Sequence, residues 1–201
     1  MDRGSETAVN MTNNIPSIDP ANIGTLVGTF QHIFGKFMQG VDGIMPATVI
    51  AYDRSQNPPR AQVQPGINIK TTDGQQFLRA QIASVVVCRI GAGGAFIDFP
   101  LKPGDIGLLF ACDRDISLFM QSKSPSAPNT NRVKNFSDSF FLPIASKDVI
   151  IDSENAELAV LQTDDGSICI ALHPDKIKIK GNLYVDGTIE ASGTITPGVP
   201  P

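Results

Sequence analysis

The chain ends in a long stretch in which apolar and polar residues alternate. From Lys176 onward the apolar side chains occupy odd positions and the polar ones even positions, and Tyr184 is the one large aromatic in the even set. A period of two is typical of a β-strand that buries one of its faces. The apolar odd positions are Ile177, Ile179, Leu183, Val185, Ile189, Ala191 and Ile195.

This terminal strand has no partner within its own remaining sequence. Alone it would expose its backbone groups and an apolar face, and full burial of each large apolar side chain contributes about 1.5–3 kcal/mol. We therefore expect three chains to wind around one axis and to bury the odd positions in a shared interior. Glycines at 181, 187 and 193 would mark the corners. The glycine repeat is too short for a single-chain β-helix, and this favours an intertwined trimer.

A second region of period two runs from Pro46 to about Met120, with turn-like stretches between its runs. Five such runs, one of them long, predict a small barrel of the OB type. An Asp73-Gly74 pair between two runs predicts a hairpin. The predicted strands are Thr48–Asp53, Arg60–Lys70, Gln75–Arg89, Ala95–Phe99 and Ile106–Asp113.

The remaining segments complete an all-β fold with one N-terminal helix. Residues 1–40 form an arm and a helix, 41–120 the OB-fold barrel, and 121–147 a linker whose DSFFLPI run docks on the barrel. Residues 148–201 form the intertwined trimeric β-helical spike. Within it, TDDG predicts a hairpin turn, and the apolar phase changes from even in SICIAL to odd in the tail. This change requires a turn at His173-Pro174-Asp175.

The helix is predicted by apolar residues that recur every three to four positions in residues 21–40. Asn22 is its expected N-cap and Gly40 its expected end. Its glycines lower its intrinsic stability, so it should form mainly by packing against another surface. The six apolar residues that we expect to dock are Leu26, Phe30, Ile33, Phe34, Phe37 and Met38.

Composition narrows the classes of protein. The chain has 201 residues, a formal net charge of −4 and a pI near 5.1, and an acidic chain lacks the basic surface of a general nucleic-acid binder. Its polar start predicts no secretory signal, and no apolar run is long enough to span a bilayer. Three cysteines without a CxxC pair indicate buried hydrophobic residues in a chain made in a reducing cytoplasm.

Candidate chemistry is sparse. His32 and His173 are the only histidines. With so few, we expect neither a Ser–His–Asp triad nor a Cys–His pair. Asp164-Asp165 and the Asp113/Asp115 pair lie at predicted turns or strand ends, where Asp is common. GAGG connects two predicted strands, with no helix start after it to bind phosphate. We expect no enzymatic activity, metal or cofactor.

One run in the barrel region carries a family resemblance. FPLKPGDIGLLFACDRDI, from Phe99 to Ile116, follows a barrel-like pattern and precedes the alternating tail. It resembles the phage baseplate central spike proteins, specifically the lysozyme-free, membrane-piercing Gp138 type. In this run Pro103-Gly104-Asp105 makes a turn into a buried strand. Arg114 is expected to bridge carboxylates bidentately.

The resemblance implies a homotrimer with an OB-fold collar and a β-helical needle. Such a spike sits in the virion under the tail tube, contacts hub or tube proteins, and crosses the host outer membrane when the sheath contracts. It would be assembled in the bacterial cytoplasm. The apolar face of the helix would contact the hub or the tube.

The tip departs from the family pattern. Related spikes often end in a His-x-His pair that binds iron, and no His follows His173 here. We therefore expect no tip iron. Either a separate small protein caps the apex, or the last residues close it by packing, namely Pro197, Val199, Pro200 and Pro201.

Two functions other than a spike are consistent with parts of this pattern. An OB barrel could bind single-stranded nucleic acid or glycan while the tail only oligomerises it. The absence of Trp, the two Tyr and the negative charge disfavour this reading. A fibre-type adhesin would need a receptor-binding tip, for which TITPGVPP offers little.

Overall fold

The protein is described by a computed structural model covering residues 24–70, 74–144, 149–193 and 195. It divides into two compact units, one up to residue 146 and one from residue 147 onward. No helix in the described ranges is long and apolar enough to cross a membrane. The residues of the predicted arm, 1–20, lie outside these ranges.

The first unit opens with helix α1 (Leu26–Gln39). Thr25 is the N-cap, because its hydroxyl accepts a hydrogen bond of 3.0 Å from the Gly28 amide. Asn22, the expected N-cap, lies outside the described residues. Gly40 is the C-cap, as predicted. The predicted helix is confirmed from Leu26 to Gln39.

A closed five-stranded barrel forms the centre of this unit. Its strands follow the order β1-β2-β5-β9-β8, and all neighbours are antiparallel except β5 and β9. Ten buried residues, among them Val63, Leu109 and Phe141, fill its core. The strands are β1 (Ile44–Asp53), β2 (Arg60–Pro65), β5 (Ile82–Val87), β8 (Ile106–Ala111) and β9 (Ser139–Pro143).

Smaller elements project from the barrel. The predicted long runs Arg60–Lys70 and Gln75–Arg89 are each divided. Their facing ends form a separate hairpin, which confirms the turn predicted there, although Asp73 lies outside the described residues. The GAGG stretch turns a second hairpin. These elements are β3 (Ile69–Lys70), β4 (Gln76–Phe77), β6 (Ile90–Ala92), β7 (Ala95–Ile97) and helix α2 (Ser117–Ser122).

The fifth barrel strand comes from a segment that the sequence pattern assigned to the linker. In β9, Ser139 and Phe141 point into the barrel, and β9 pairs with β5 in parallel and with β8 antiparallel. The DSFFLPI run therefore does more than dock on the barrel, because it closes it. A parallel partner needs a long connection, and local periodicity does not reveal one.

The PGDIG part of the spike-like run, Phe99–Ile116, explains how β8 enters the barrel. Gly104 adopts φ +93°, a conformation that favours glycine. The Asp105 carboxylate accepts a hydrogen bond of 2.7 Å from the Lys102 amide. At Gly107, a Cβ atom would lie 2.5 Å from the Leu142 carbonyl oxygen and 2.8 Å from Cε1 of Phe141. Only glycine lets β8 approach β9 and its buried ring this closely.

Replacing Gly107 by Ala should destabilise the barrel by about 1–3 kcal/mol, because the added methyl group overpacks the core. Urea unfolding at one fixed protein concentration measures the loss. Gly43→Ala is the matched control, since its Cβ would meet no atom within 4 Å. Equal stability of the two variants would contradict the close approach.

The second unit contains a three-stranded antiparallel sheet in the order β10-β11-β12. Its strands are β10 (Ala159–Gln162), β11 (Cys169–Leu172) and β12 (Ile177–Lys180). The hairpin turn predicted at TDDG is confirmed by the pairing of β10 with β11. The tail was predicted to lack a partner in its own chain, and this is wrong for Ile177–Lys180, which pair with the preceding strand. Residues 181–193 contain no strand within one chain.

Candidate assembly interface

The three-stranded sheet of the second unit has one entirely apolar face. Residues paired across antiparallel strands project from the same face, and the pairing aligns Leu161 with Ile170 and Ile170 with Ile179. The five large side chains on this face remain 41–66 % exposed. The face consists of Ala159, Leu161, Ile170, Leu172, Ile177 and Ile179.

The change of apolar phase at His173 is what builds this face. Leu172 pairs with Ile177, so even positions of β11 and odd positions of β12 share one side of the sheet. The turn predicted there is confirmed, and the His173 amide donates a hydrogen bond of 2.9 Å to the Lys176 carbonyl. The phase change therefore continues the apolar surface across the turn.

The opposite face of the sheet is already covered. Cys169 and Ala171 are buried there, together with Asn155 from the segment that precedes β10. Lys180 Nζ lies 2.9 Å from an Asp152 oxygen, and Lys178 pairs with Glu154. The Asp152–Lys180 hydrogen bond and their opposite charges lower the pKa of the aspartate and raise that of the lysine. One face is thus closed within the chain, and the apolar face is open.

An open face of this kind indicates an assembly surface. Soluble monomers rarely leave a large contiguous apolar patch exposed. Burying each of its large aliphatic side chains would contribute about 1.5–3 kcal/mol. The face has no charged member to offset this gain.

The predicted trimer interior divides into two parts. Ile177 and Ile179 lie on the apolar sheet face. The rest follow in the tail, where they are exposed in the single chain, and their burial between chains stays a prediction. These residues are Leu183, Val185, Ile189, Ala191 and Ile195. The four predicted tip residues lie outside the described ranges. They are Pro197, Val199, Pro200 and Pro201.

Sequence reasoning missed the part of this face upstream of the tail. Ala159, Leu161, Ile170 and Leu172 were not assigned to any interior, because the phase break at His173 was read only as a corner. The signal that could have found them is the antiparallel register. A short turn between an even-phase run and an odd-phase run places both apolar sets on one side.

The apolar face of α1 is a second open surface. Its seven large apolar residues are 53–74 % exposed, including all six that were predicted to dock. The rings of Phe34 and Phe37 meet with centroids 6.4 Å apart. Lys36 is the only charged residue of the helix.

The end of α1 is tied to the barrel through Asp42. The Asp42 amide donates to the Lys134 carbonyl at 2.9 Å. Its carboxylate accepts from Arg79 at 2.9 Å and from the Phe136 amide at 3.1 Å, and the Arg79 guanidinium lies 5.9 Å from the centre of the Phe136 ring. Only Val41 separates the C-cap from this anchor. The C-terminal end of the helix, which we call its root, is therefore fixed, while the apolar side chains of the helix remain exposed.

The polar end of the spike-like run has a structural partner other than the one predicted. Arg132, not Arg114, bridges the carboxylates: it contacts Asp138 at 2.7 Å and Asp115 at 3.2 Å, and both carboxylates are buried. Arg114 pairs instead with Val133 in a backbone bridge. The Asp115–Arg132 pair is 17 residues apart, so local spacing did not reveal it.

This cluster fixes the polar segment that follows α2. Hydrogen bonds from Ser117, then from Thr130, and the charge of Arg132 hold the pKa of Asp115 at about 2. Asp113 pairs with Lys134 at 2.6 Å, and this lowers the pKa of Asp113. The predicted linker is therefore attached to the barrel, and three of its charged residues, Arg132, Lys134 and Asp138, serve that attachment.

No group of three or more His, Cys, Asp or Glu side chains in the described ranges is placed to hold a metal ion. The strongest candidate sites are instead the two apolar surfaces, which offer contact area without reactive groups. Their chemistry suits assembly.

Comparison with known proteins places the barrel in a family. Residues 45–144 match the family model described as the phage protein Gp138 N-terminal domain. No curated protein matches the chain significantly. The matched residues run from the second residue of β1 to just past β9, so they contain all five barrel strands except for Ile44. Both α1 and the β10–β12 sheet lie outside them.

Proposed function

We propose that this chain, which carries a phage Gp138 N-terminal domain at residues 45–144, is the central spike in the baseplate of a contractile phage tail. As a structural component of the virion, it would pierce the host outer membrane when the sheath contracts. The observation that carries this proposal is the open apolar sheet face, which continues into an alternating tail.

Three copies of the chain would bury that apolar surface. A three-fold axis brings three apolar sheet faces and three tails together, so that each side chain meets its own equivalents. The interior would contain the seven predicted tail residues and the four upstream residues on the same face. The even tail positions, such as Thr188 and Glu190, would face water.

A needle of this kind would pierce a membrane because it is stiff enough not to bend under the applied force. The covered outer face of the sheet, with its Lys180–Asp152 and Lys178–Glu154 pairs, would present a polar outside while the apolar side chains fill the inside. The force would come from the sheath. We propose that hub or tail-tube proteins receive the collar through α1, and that a separate tip protein or the terminal prolines close the apex.

The mass of the purified protein in solution tests the assembly. Light scattering should give three times the chain mass of 21.4 kDa, and electron microscopy should show a needle below a wider collar. A stable monomer, or a compact globule of any mass, would overturn the proposal.

The position in the virion is tested on phage particles. An antibody against this chain should label the distal end of extended tails, beneath the tube. Labelling along the sheath or on the head would exclude the role of central spike, even for a trimeric protein.

A further inference from the structure

We propose that the three α1 helices of the trimer associate with one another as a parallel bundle above the collar. This inference rests on the proposed trimer and goes beyond it, because α1 lies outside the residues that match the Gp138 family. The occupant of the apolar helix face is thus the same helix in the two other copies.

The spacing of the apolar residues fits a bundle seam. Val27, Phe30, Phe34 and Phe37 follow intervals of three, four and three residues, which is the a/d repeat of coiled coils. At about 100° per residue, they form one stripe, and the charge of Lys36 lies roughly 140° from its centre. Three helices can meet along this stripe without bringing like charges together.

The fixed root makes the helices meet in parallel. Asp42 is bound to Lys134, Arg79 and Phe136 of its own chain, and Val41 is the only residue between the C-cap and this anchor. Three-fold symmetry gives the three roots equivalent positions, so the helices start level with one another and run in one sense. A spacer this short keeps their mutual effective concentration high.

The helix also needs such a partner to be stable. It contains 14 residues, and an isolated helix of this length is marginal in water. Its seven large apolar side chains are all more than half exposed in the single chain. Within a bundle the seam residues are buried, and Leu26, Ile33 and Met38 remain on the flanks. The hub would then receive an assembled bundle.

Cysteine cross-linking of the full-length protein tests the bundle. Phe34→Cys places a thiol in the seam, and His32→Cys places one on the opposite side of the same helix. Under mild oxidation at low protein concentration, the seam variant should form disulfide dimers, with at most two of the three chains paired. We expect about tenfold less cross-linking for His32→Cys, because its thiols are held apart. The wild-type protein reports any contribution from its three native cysteines.

Each outcome decides a different point. A trimer in which Phe34→Cys and a second seam variant, Val27→Cys, both fail to cross-link overturns the bundle and leaves the spike proposal intact. Equal cross-linking of the seam and His32→Cys variants also overturns it, since the helices would then meet in no fixed orientation. A monomeric wild-type protein overturns the spike proposal itself. Seam-specific dimers within a trimer support the bundle.

Discussion

An Ile189→Lys substitution should abolish the trimer. The proposed interior places three copies of Ile189 in one layer around the axis. Losing their burial removes about 4.5–9 kcal/mol per trimer, which corresponds to a roughly thousand- to million-fold weaker association. Three lysine side chains facing one another in an apolar interior would weaken it further. Light scattering over a range of protein concentrations measures the effect.

Thr188→Lys is the matched control for this change. Thr188 and Ile189 are neighbours, and both are exposed in the single chain. The alternation assigns the first to the outer surface and the second to the interior, so Thr188→Lys should remain a trimer. If both variants dissociate, the added charge alone is responsible. If neither does, Ile189 lies outside the interface.

The barrel could be predicted from the sequence where its contacts are local. Strands β1, β2 and β8 alternate clearly and are bounded by turn residues. β9 escaped prediction because its two adjacent aromatics, Phe140 and Phe141, hide the alternation. Its parallel partner β5 also lies more than 50 residues upstream. A short strand held by distant partners leaves little local pattern.

The two candidate surfaces were also only partly predictable from local sequence patterns. Alternation identified the odd positions of the tail, and helical spacing identified the exposed face of α1. Neither pattern revealed that β12 folds back on β11, because pairing is a relation between two segments. The Arg132 contacts with Asp115 and Asp138 were missed for this reason too, and Arg114 was chosen because it stands next to the aspartates in sequence. Local periodicity thus predicts which face is apolar but not what that face meets.

A substitution on the apolar sheet face tests a different part of the proposed interior from a substitution in the tail. Ile170 lies in the central strand β11 between Leu161 and Ile179, so Ile170→Lys puts a charge in the middle of the face without altering the tail. The variant should lose the trimer, with light scattering near the mass of one chain. Circular dichroism should retain the β-sheet signal of the barrel, because Ile170 lies in the other unit and is 41 % exposed before assembly.

Tyr184→Lys is the control for Ile170→Lys, since it also replaces a large apolar side chain by lysine, at an even tail position with 88 % exposure. It should remain a trimer. A trimeric Ile170→Lys protein would restrict the interior to the tail and leave the sheet face outside it. Loss of the trimer in Ile170→Lys alone would show that the interior begins upstream of the tail, where each chain contributes three strands. That result would explain how the base of a needle resists bending, because a sheet braced on its outer face by Lys180 and Asp152 is stiffer than a single strand.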